Sequence, residues 1–199
     1  MLDLGGNRTG KRGLFDIEQY GFRVVYANLS RAKTPDLQAD AGCLPFPTNR
    51  FDGVICSELL EHVPSPPLVL SEIHRVLRPG GIALVCVPFL KQIHGDPYDY
   101  GRYTDLYWQE NLERIGFDDI HIEKQGLFWS VIVDMLRDFA YEKTTGGGIF
   151  SRPWMLRLVA AALGVCKQKA VKWDLKADSA ESASSQRFTT GFGITAVKR

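Results

Sequence analysis

Apolar and polar positions follow a rhythm of strand and then helix through most of the chain. Phe51–Ser57 and Gly81–Pro88 are continuous apolar runs, the pattern of strands buried on both faces of a parallel sheet. Arg23–Ala27 is a shorter β-rich run and Asp36–Asp40 a weaker one. Between the two long runs, Leu68, Leu70, Ile73, Val76 and Leu77 fall at helical spacing. They predict a helix over Pro66–Leu77, stopped by Arg78-Pro79-Gly80-Gly81. A second helix is predicted over Thr104–Ile115, with Thr104 as N-cap and Gly116 as its stop. Ile120–Lys124 and Gly191–Val197 read as the last strands. This alternation predicts an α/β, doubly wound, mostly parallel sheet with ligands at the strands' carboxyl ends.

Two segments depart from the rhythm. Leu127–Tyr141 and Trp154–Lys169 read as aliphatic and aromatic helices on either side of a Thr-Thr-Gly-Gly-Gly tract at 144–148. Asp178–Gln186 is poor in apolar residues and reads as a mobile loop. The expected organisation is one domain, with a core of 1–126 and 187–199 and a helical insertion over about 127–186. Met1 stands directly before Leu-Asp-Leu-Gly-Gly, the end of a strand entering a Gly-rich turn. The first strand is therefore expected to be shortened.

Composition narrows the classes. A chain of 199 residues, 45% hydrophobic and 24% charged, suits a single α/β domain. Lys and Arg total 24 against 23 Asp and Glu, so no net field draws the chain to nucleic acid. Cysteines at 43, 56, 86 and 166 form no Cys-x-x-Cys pair and read as small buried hydrophobes of a reducing compartment. Histidines at 62, 74, 94 and 121 lack metal-ligand spacing. No basic run followed by an apolar run opens the sequence, so no secretory leader is expected, and the most apolar stretch, Trp154–Cys166, is 13 residues interrupted by Arg157, too short to span a bilayer. A cytoplasmic location is expected.

The chemistry concentrates between Asp40 and Pro88. There Asp40, Leu44-Pro45-Phe46, Phe51-Asp52-Gly53-Val54, Leu60-Glu61-His62-Val63 and Glu72-Ile73-His74-Arg75-Val76-Leu77-Arg78-Pro79-Gly80-Gly81 follow one another. This series resembles the class I S-adenosylmethionine-dependent methyltransferases, in the small-molecule branch called type 11. The resemblance covers residues 1 to about 126 and the last strand, and fails over the insertion.

The resemblance implies a Rossmann-like sheet of seven strands with an antiparallel C-terminal strand, a helical cover before the first strand that is here expected to be missing or replaced by the insertion, S-adenosyl-L-methionine as cofactor and a set of residues around it. Asp40 and the backbone at Ala41 hold the adenine; the alternative for Asp40 is a turn or cap aspartate. Ser57 and Glu58 stand where the methionine part passes. His62 is left open among capping, packing and facing the cofactor. The Gly-rich turn aligns with Asp3-Leu4-Gly5-Gly6-Asn7-Arg8-Thr9-Gly10: Asp3, Gly5 and Gly6 fit, whereas Asn7 and Thr9 replace glycines. Asn28 stands where relatives carry the acid that accepts from the ribose hydroxyls. Losing that charge is expected to weaken binding by roughly 1–2 kcal/mol, about ten- to thirtyfold.

Methyl transfer from a sulfonium needs alignment of the acceptor and, for a hydroxyl or amine, removal of a proton. The run Pro88–Thr104 carries His94, Asp99 and Arg102 ahead of a helix, and similar runs occur in relatives acting on glycans and lipids. His94 is the expected general base. Asp99 and Arg102 read equally as a structural ion pair. The 127–175 helices, edged by Lys167, Lys169 and Lys172, read as a lid over a lipid-like acceptor touching a membrane surface, or as packing on the sheet or on a second subunit. The expected function is methyl transfer to a small-molecule, glycan or lipid-like acceptor. The alternative is a degenerate domain that keeps the fold as a binding module, and a nicotinamide-dependent oxidoreductase is disfavoured by the lack of Gly-x-Gly-x-x-Gly.

Overall fold

The computed structural model describes residues 1–6, 8, 17–95, 97–145, 153–179 and 184–199. Asn7 and the 146–148 part of the glycine tract lie outside the described residues, as do 180–183 of the expected loop.

Seven strands form one sheet: β1 (Leu2–Leu4), β2 (Val25–Asn28), β3 (Leu37–Gln38), β4 (Phe51–Ser57), β5 (Leu77–Pro88), β6 (Phe117–Gln125) and β7 (Gly191–Lys198). Their order is β3-β2-β1-β4-β5-β7-β6, with β7 antiparallel. The strand order reverses between β1 and β4, the switch point at which open α/β sheets bind ligands. Register places Asp3 of β1 between Tyr26 of β2 and Ile55 of β4, and Leu4 between Ala27 and Cys56.

The helices are α1 (Pro66–Val76), α2 (Asp105–Ile115), α3 (Phe128–Thr145) and α4 (Pro153–Ser179). Several boundaries differ from expectation. The Arg78–Gly81 stretch does not merely stop α1: Leu77 already begins β5, with Gly80 at φ 76°. In α1 the buried positions are Pro66, Val69, Leu70, Ile73 and Val76, whereas Leu68 is exposed. Thr104 occupies the N-cap of α2 with extended backbone but makes no side-chain cap bond, while Gly116 ends the helix at φ 104°. Asp178 and Ser179 are the end of α4, and Ser185–Arg187 form a 3-10 turn, where a loop was expected. All four cysteines are free; Cys56 is buried, but Cys43 and Cys166 are exposed, against the expectation of buried thiols.

The chain divides into two compact units. The first comprises Met1–Val87, Gly95–Glu123 and Gly193–Arg199, and the second Pro88–His94 and Lys124–Phe192. In the first, Leu2 and Leu4 of β1, Val54 and Cys56 of β4, and Trp108 and Leu112 of α2 are buried. Trp108 meets the rings of Tyr103 and Tyr107 edge-on at 5.4 and 5.1 Å. Burying aromatic area of this size is a main source of stability in a domain this small.

In the second unit α3 and α4 run antiparallel. Near the end of α4, Asp174, buried to 3%, accepts hydrogen bonds from Leu127, Trp129 and Ser130 N–H at 2.9, 3.0 and 2.9 Å. These are the otherwise unpartnered donors at the start of α3, so a carboxylate distant in sequence caps that helix and meets its positive dipole end. Further along, Lys167 holds both oxygens of Asp134 at 2.8 and 2.9 Å. Among the described residues no helix is long and apolar enough to cross a membrane.

Candidate active site

The site is built at the carboxyl ends of β1 and β2. Past Leu4 the backbone turns through Gly5 at φ 80°, and Gly5 N–H donates to Ala27 O at 2.8 Å. A Cβ on Gly6 would lie 2.4 Å from the Asp3 carboxyl atoms, so only glycine lets this backbone pass over the buried acid. Asn28 closes the turn from β2. Its Nδ2 donates to Gly5 O at 2.8 Å and Gly6 O at 3.0 Å, and its Oδ1 accepts from Ser30 N–H at 2.9 Å. The amide orientation follows from chemistry: two carbonyl acceptors require the NH2, and an N–H donor requires the oxygen.

Beyond β3, Asp40 opens a tight turn. Its Oδ1 accepts from Gly42 N–H at 2.8 Å and its carbonyl from Cys43 N–H at 3.1 Å. The next residues are tied to α1. Glu72 Oε2 accepts from Leu44 N–H at 2.7 Å, while Arg75 donates to Leu44 O at 2.9 Å, Phe46 O at 2.8 Å and Glu72 itself. The Leu-Pro-Phe and Glu-x-x-Arg halves of the sequence pattern are therefore two sides of one network. The Arg75 guanidinium holds the Glu72 carboxyl below its usual range, and Glu72 raises Arg75 in return.

At the end of β4, Glu58 takes the left-handed conformation at φ 53°, a strained backbone for a non-glycine residue. After it, a 3-10 turn over Leu60–His62 carries the buried Glu61 and His62. His62 Nδ1 donates to Tyr98 O at 2.7 Å, and its Nε2 lies 3.6 Å from Glu61 Oε1. Tyr100 N–H donates to Glu61 O at 2.7 Å, and a Cβ on Gly95 (φ 73°) would lie 2.7 Å from His62 Cε1. The 95–100 loop is thus fitted to the histidine.

These elements enclose a pocket of about 620 Å3, in the range that takes a nucleoside-sized ligand. Of the expected cofactor residues, Gly5, Asn28, Asp40, Ala41 and His62 line it. Asp3 lies beneath the turn, Ser57 and Glu58 flank the site at the end of β4 without lining the pocket, and Asn7 is outside the described residues. Lining residues that the sequence did not single out include Leu29, Ser30, Lys33, Leu59 and Pro64. Of these only Lys33 carries a chemical signal, and it is isolated in sequence from every motif. A second cavity, of about 710 Å3, is lined by Met1, Tyr20, Phe22, Ile82 and Leu84 together with Asp52, Gly53 and Val54 of the Phe-Asp-Gly-Val segment; Asp52 pairs with Arg78.

The expected acceptor residues are placed as follows. Asp99 accepts from Arg102 with both oxygens, at 2.5 and 2.8 Å, and its side chain is 4% exposed. Asp99, and then Glu61 and Glu58, raise the Arg102 pKa. His94 belongs to the second unit, where its Nδ1 faces Gln92 O at 3.1 Å.

Residues 14–85 match the family described as a methyltransferase domain. That match spans just over a third of the chain, and with the sheet order and switch-point pocket it makes the chain similar to S-adenosylmethionine-dependent methyltransferases over this stretch. Among curated proteins it is 31% identical over 98 residues to 2-methyl-6-phytyl-1,4-hydroquinone methyltransferase 2, chloroplastic, of Oryza sativa subsp. japonica, covering 47% of this chain and 28% of that one. It is 52% identical over 98 residues to sterol 24-C-methyltransferase ERG6B of Gibberella zeae, covering 48% and 22%. The chain thus spans about a quarter of the length of these relatives. Among solved structures it shares the fold of the (4+2)-cyclase SpnF (TM-score 0.61, 23% identity, 99% of this chain and 74% of that one). It also shares that of Haemonchus contortus phosphoethanolamine N-methyltransferase 2 with S-adenosyl-L-methionine (0.57, 19%, 99% and 48%).

Proposed function

We propose that this protein binds S-adenosyl-L-methionine and transfers its methyl group to a lipid-like small molecule, acting from the cytoplasm at a membrane surface. The observation carrying the reading is the pocket at the β1–β4 switch point, where Gly5, Asn28, Asp40 and Ala41 meet. The residues fit the cofactor. Leu4, Ala27, Ala39 and Ala41 offer apolar walls to a purine, Asp40 offers a carboxylate oxygen to its exocyclic amine, and the Gly5-Gly6 backbone admits close approach. When bound, the sulfonium supplies an electrophilic methyl whose leaving group needs no acid.

The chain's own residues would then bind, orient and move a proton. Asp3 and Asn28 fix the Gly5-Gly6 turn, and Ser57 and Glu58 stand on the methionine side. His62 takes up an acceptor proton at Nε2, beside the Glu61 carboxylate. His94 is the second candidate base, and the Asp99–Arg102 pair is proposed to orient the loop that carries Tyr98 and Tyr100 rather than to touch the acceptor.

A lipid-like acceptor is favoured over a glycan by the quinol and sterol acceptors named for two relatives. One observation favours the non-catalytic reading: both Asn28 N–H groups are spent on the turn, so they give little to a ribose. The test is transfer of labelled methyl from S-adenosylmethionine to a prenylated hydroquinone, a sterol and a soluble glycan. Label in the organic phase is the expected result. Label in the glycan alone overturns the acceptor class, and cofactor binding without any transfer supports the binding module.

A further inference from the structure

The α3–α4 hairpin is graded along its length. On α3, Trp129, Ile132, Met135, Leu136 and Phe139 are each 38–54% exposed, and their spacing puts all five on one stripe. On α4, Leu158 and Val165 are more than 60% exposed, with exposed Ala161 and Ala162 between them. The same solvent face then changes character to Lys169, Lys172 and Lys176, all exposed. The pairing of Asp174 with the start of α3 and of Lys167 with Asp134 fixes the register. Residues of α4 before Lys167 therefore lie beside the part of α3 after Asp134, and the later lysines beside its start. One end is apolar (Met135, Leu136, Phe139, Leu158, Val165), and the other sets the lysines among exposed Trp129, Val171, Trp173 and Leu175. Between solvent and the basic end sits an edge-on pair of half-exposed indoles, Trp129 and Trp173, with ring centroids 5.4 Å apart.

We infer that this hairpin docks on an anionic lipid bilayer, its apolar end entering the acyl boundary and its lysines meeting the headgroups. Val165 to Lys172 is seven residues, about 10 Å of helix, so the apolar end and the first lysines are close enough to meet one membrane boundary together. Indole rings favour that same boundary. The charge argues for a bilayer over an apolar protein partner. The acids nearest the stripe are already neutralised, Asp134 by Lys167 and Asp138 by Lys91, whereas Lys169 and Lys172 have no acidic partner among the described residues. Clustered lysines beside apolar and aromatic side chains suit negative headgroups. The inference rests on the lipid-acceptor reading for its purpose and on its own residues for its existence.

The test is flotation of the full chain with phosphatidylcholine vesicles, with and without phosphatidylglycerol. S-adenosylhomocysteine affinity is measured on the same samples. The protein is expected to float with anionic vesicles and to release with added salt. Leu136→Glu with Phe139→Glu is expected to weaken vesicle binding by about tenfold or more, and Lys169→Gln with Lys172→Gln by a similar factor selectively on anionic vesicles. Both variants alter exposed positions and should keep nucleoside binding. A folded protein that floats with neither vesicle overturns the inference while leaving the methyltransferase reading intact. Equal binding to neutral vesicles, unaffected by the lysine changes, overturns the electrostatic part. A dimer that the two glutamate substitutions dissociate, without vesicle binding, assigns the face to a second copy and overturns it too.

Discussion

Asn28 donates its side-chain amide to the carbonyl oxygen of Gly5 at 2.8 Å, so the end of the second strand holds the turn that follows the first. An acid in that position would set a carboxylate against the carbonyls of Gly5 and Gly6, where neither side can donate. Restoring the acid found in relatives is therefore predicted to harm this protein. Asn28→Asp should weaken S-adenosylhomocysteine binding by about tenfold or more and lower the thermal midpoint. Tighter binding by the aspartate variant would show that the side chain turns to the ribose instead.

Glu72 and Arg75 of α1 carry the loop after Asp40. Arg75→Ala takes the guanidinium from the partly buried Glu72, which keeps only Leu44 N–H, and from two carbonyls, and is expected to cost about 2–3 kcal/mol in denaturant unfolding. Because hydrogen bonding to Arg75 lowers the folded-state pKa of Glu72, its contribution is present above the unfolded carboxyl value near 4.5. It is lost as pH falls through the lower folded value. The unfolding free energy of the wild type should therefore fall more steeply with acid than that of Glu72→Gln, when both are measured from neutral pH downward.

Gly95 is positioned by φ 73° and by the His62 ring against it. Gly95→Ala should displace that ring and break its bond to Tyr98 O. The predicted cost is about 1–3 kcal/mol of stability with a loss of transfer activity, read by unfolding and by initial rates. An alanine variant with wild-type rates would exclude His62 as a group that needs this orientation.

Asp174 supplies three hydrogen bonds to the start of α3. Asp174→Ala is expected to destabilise the second unit by about 2–4 kcal/mol. Amide exchange at Leu127, Trp129 and Ser130 should accelerate most, while nucleoside binding is retained.

The sheet was legible because its buried strands leave continuous apolar runs: Phe51–Ser57 is β4 residue for residue. The Asp40 turn was legible as a motif, although the sequence could not show that the Leu-Pro-Phe and Glu-x-x-Arg segments form one network. That network joins residues 28 to 31 positions apart. Other features are hidden for definable reasons. The first residues of β5 sit among Pro79 and Gly80, which mask a strand pattern. The end of α4 has Lys and Gln where periodicity would be read, and it is held by two buried positions, Ala170 and Asp174. The role of Asn28 is invisible in one dimension, because a motif position does not reveal whether its donors face a ligand or the backbone. Ser30, Leu59 and Pro64 reach the pocket only through the fold.

The central claim is that the pocket lined by Gly5, Asn28, Asp40 and Ala41 binds the methyl donor. Calorimetric titration of the folded chain with S-adenosylhomocysteine tests it most directly. The account predicts a dissociation constant on the order of micromolar, weakened about tenfold by Asp40→Ala. A folded protein that takes up no ligand into the millimolar range, or binds equally well without the Asp40 carboxylate, would contradict it.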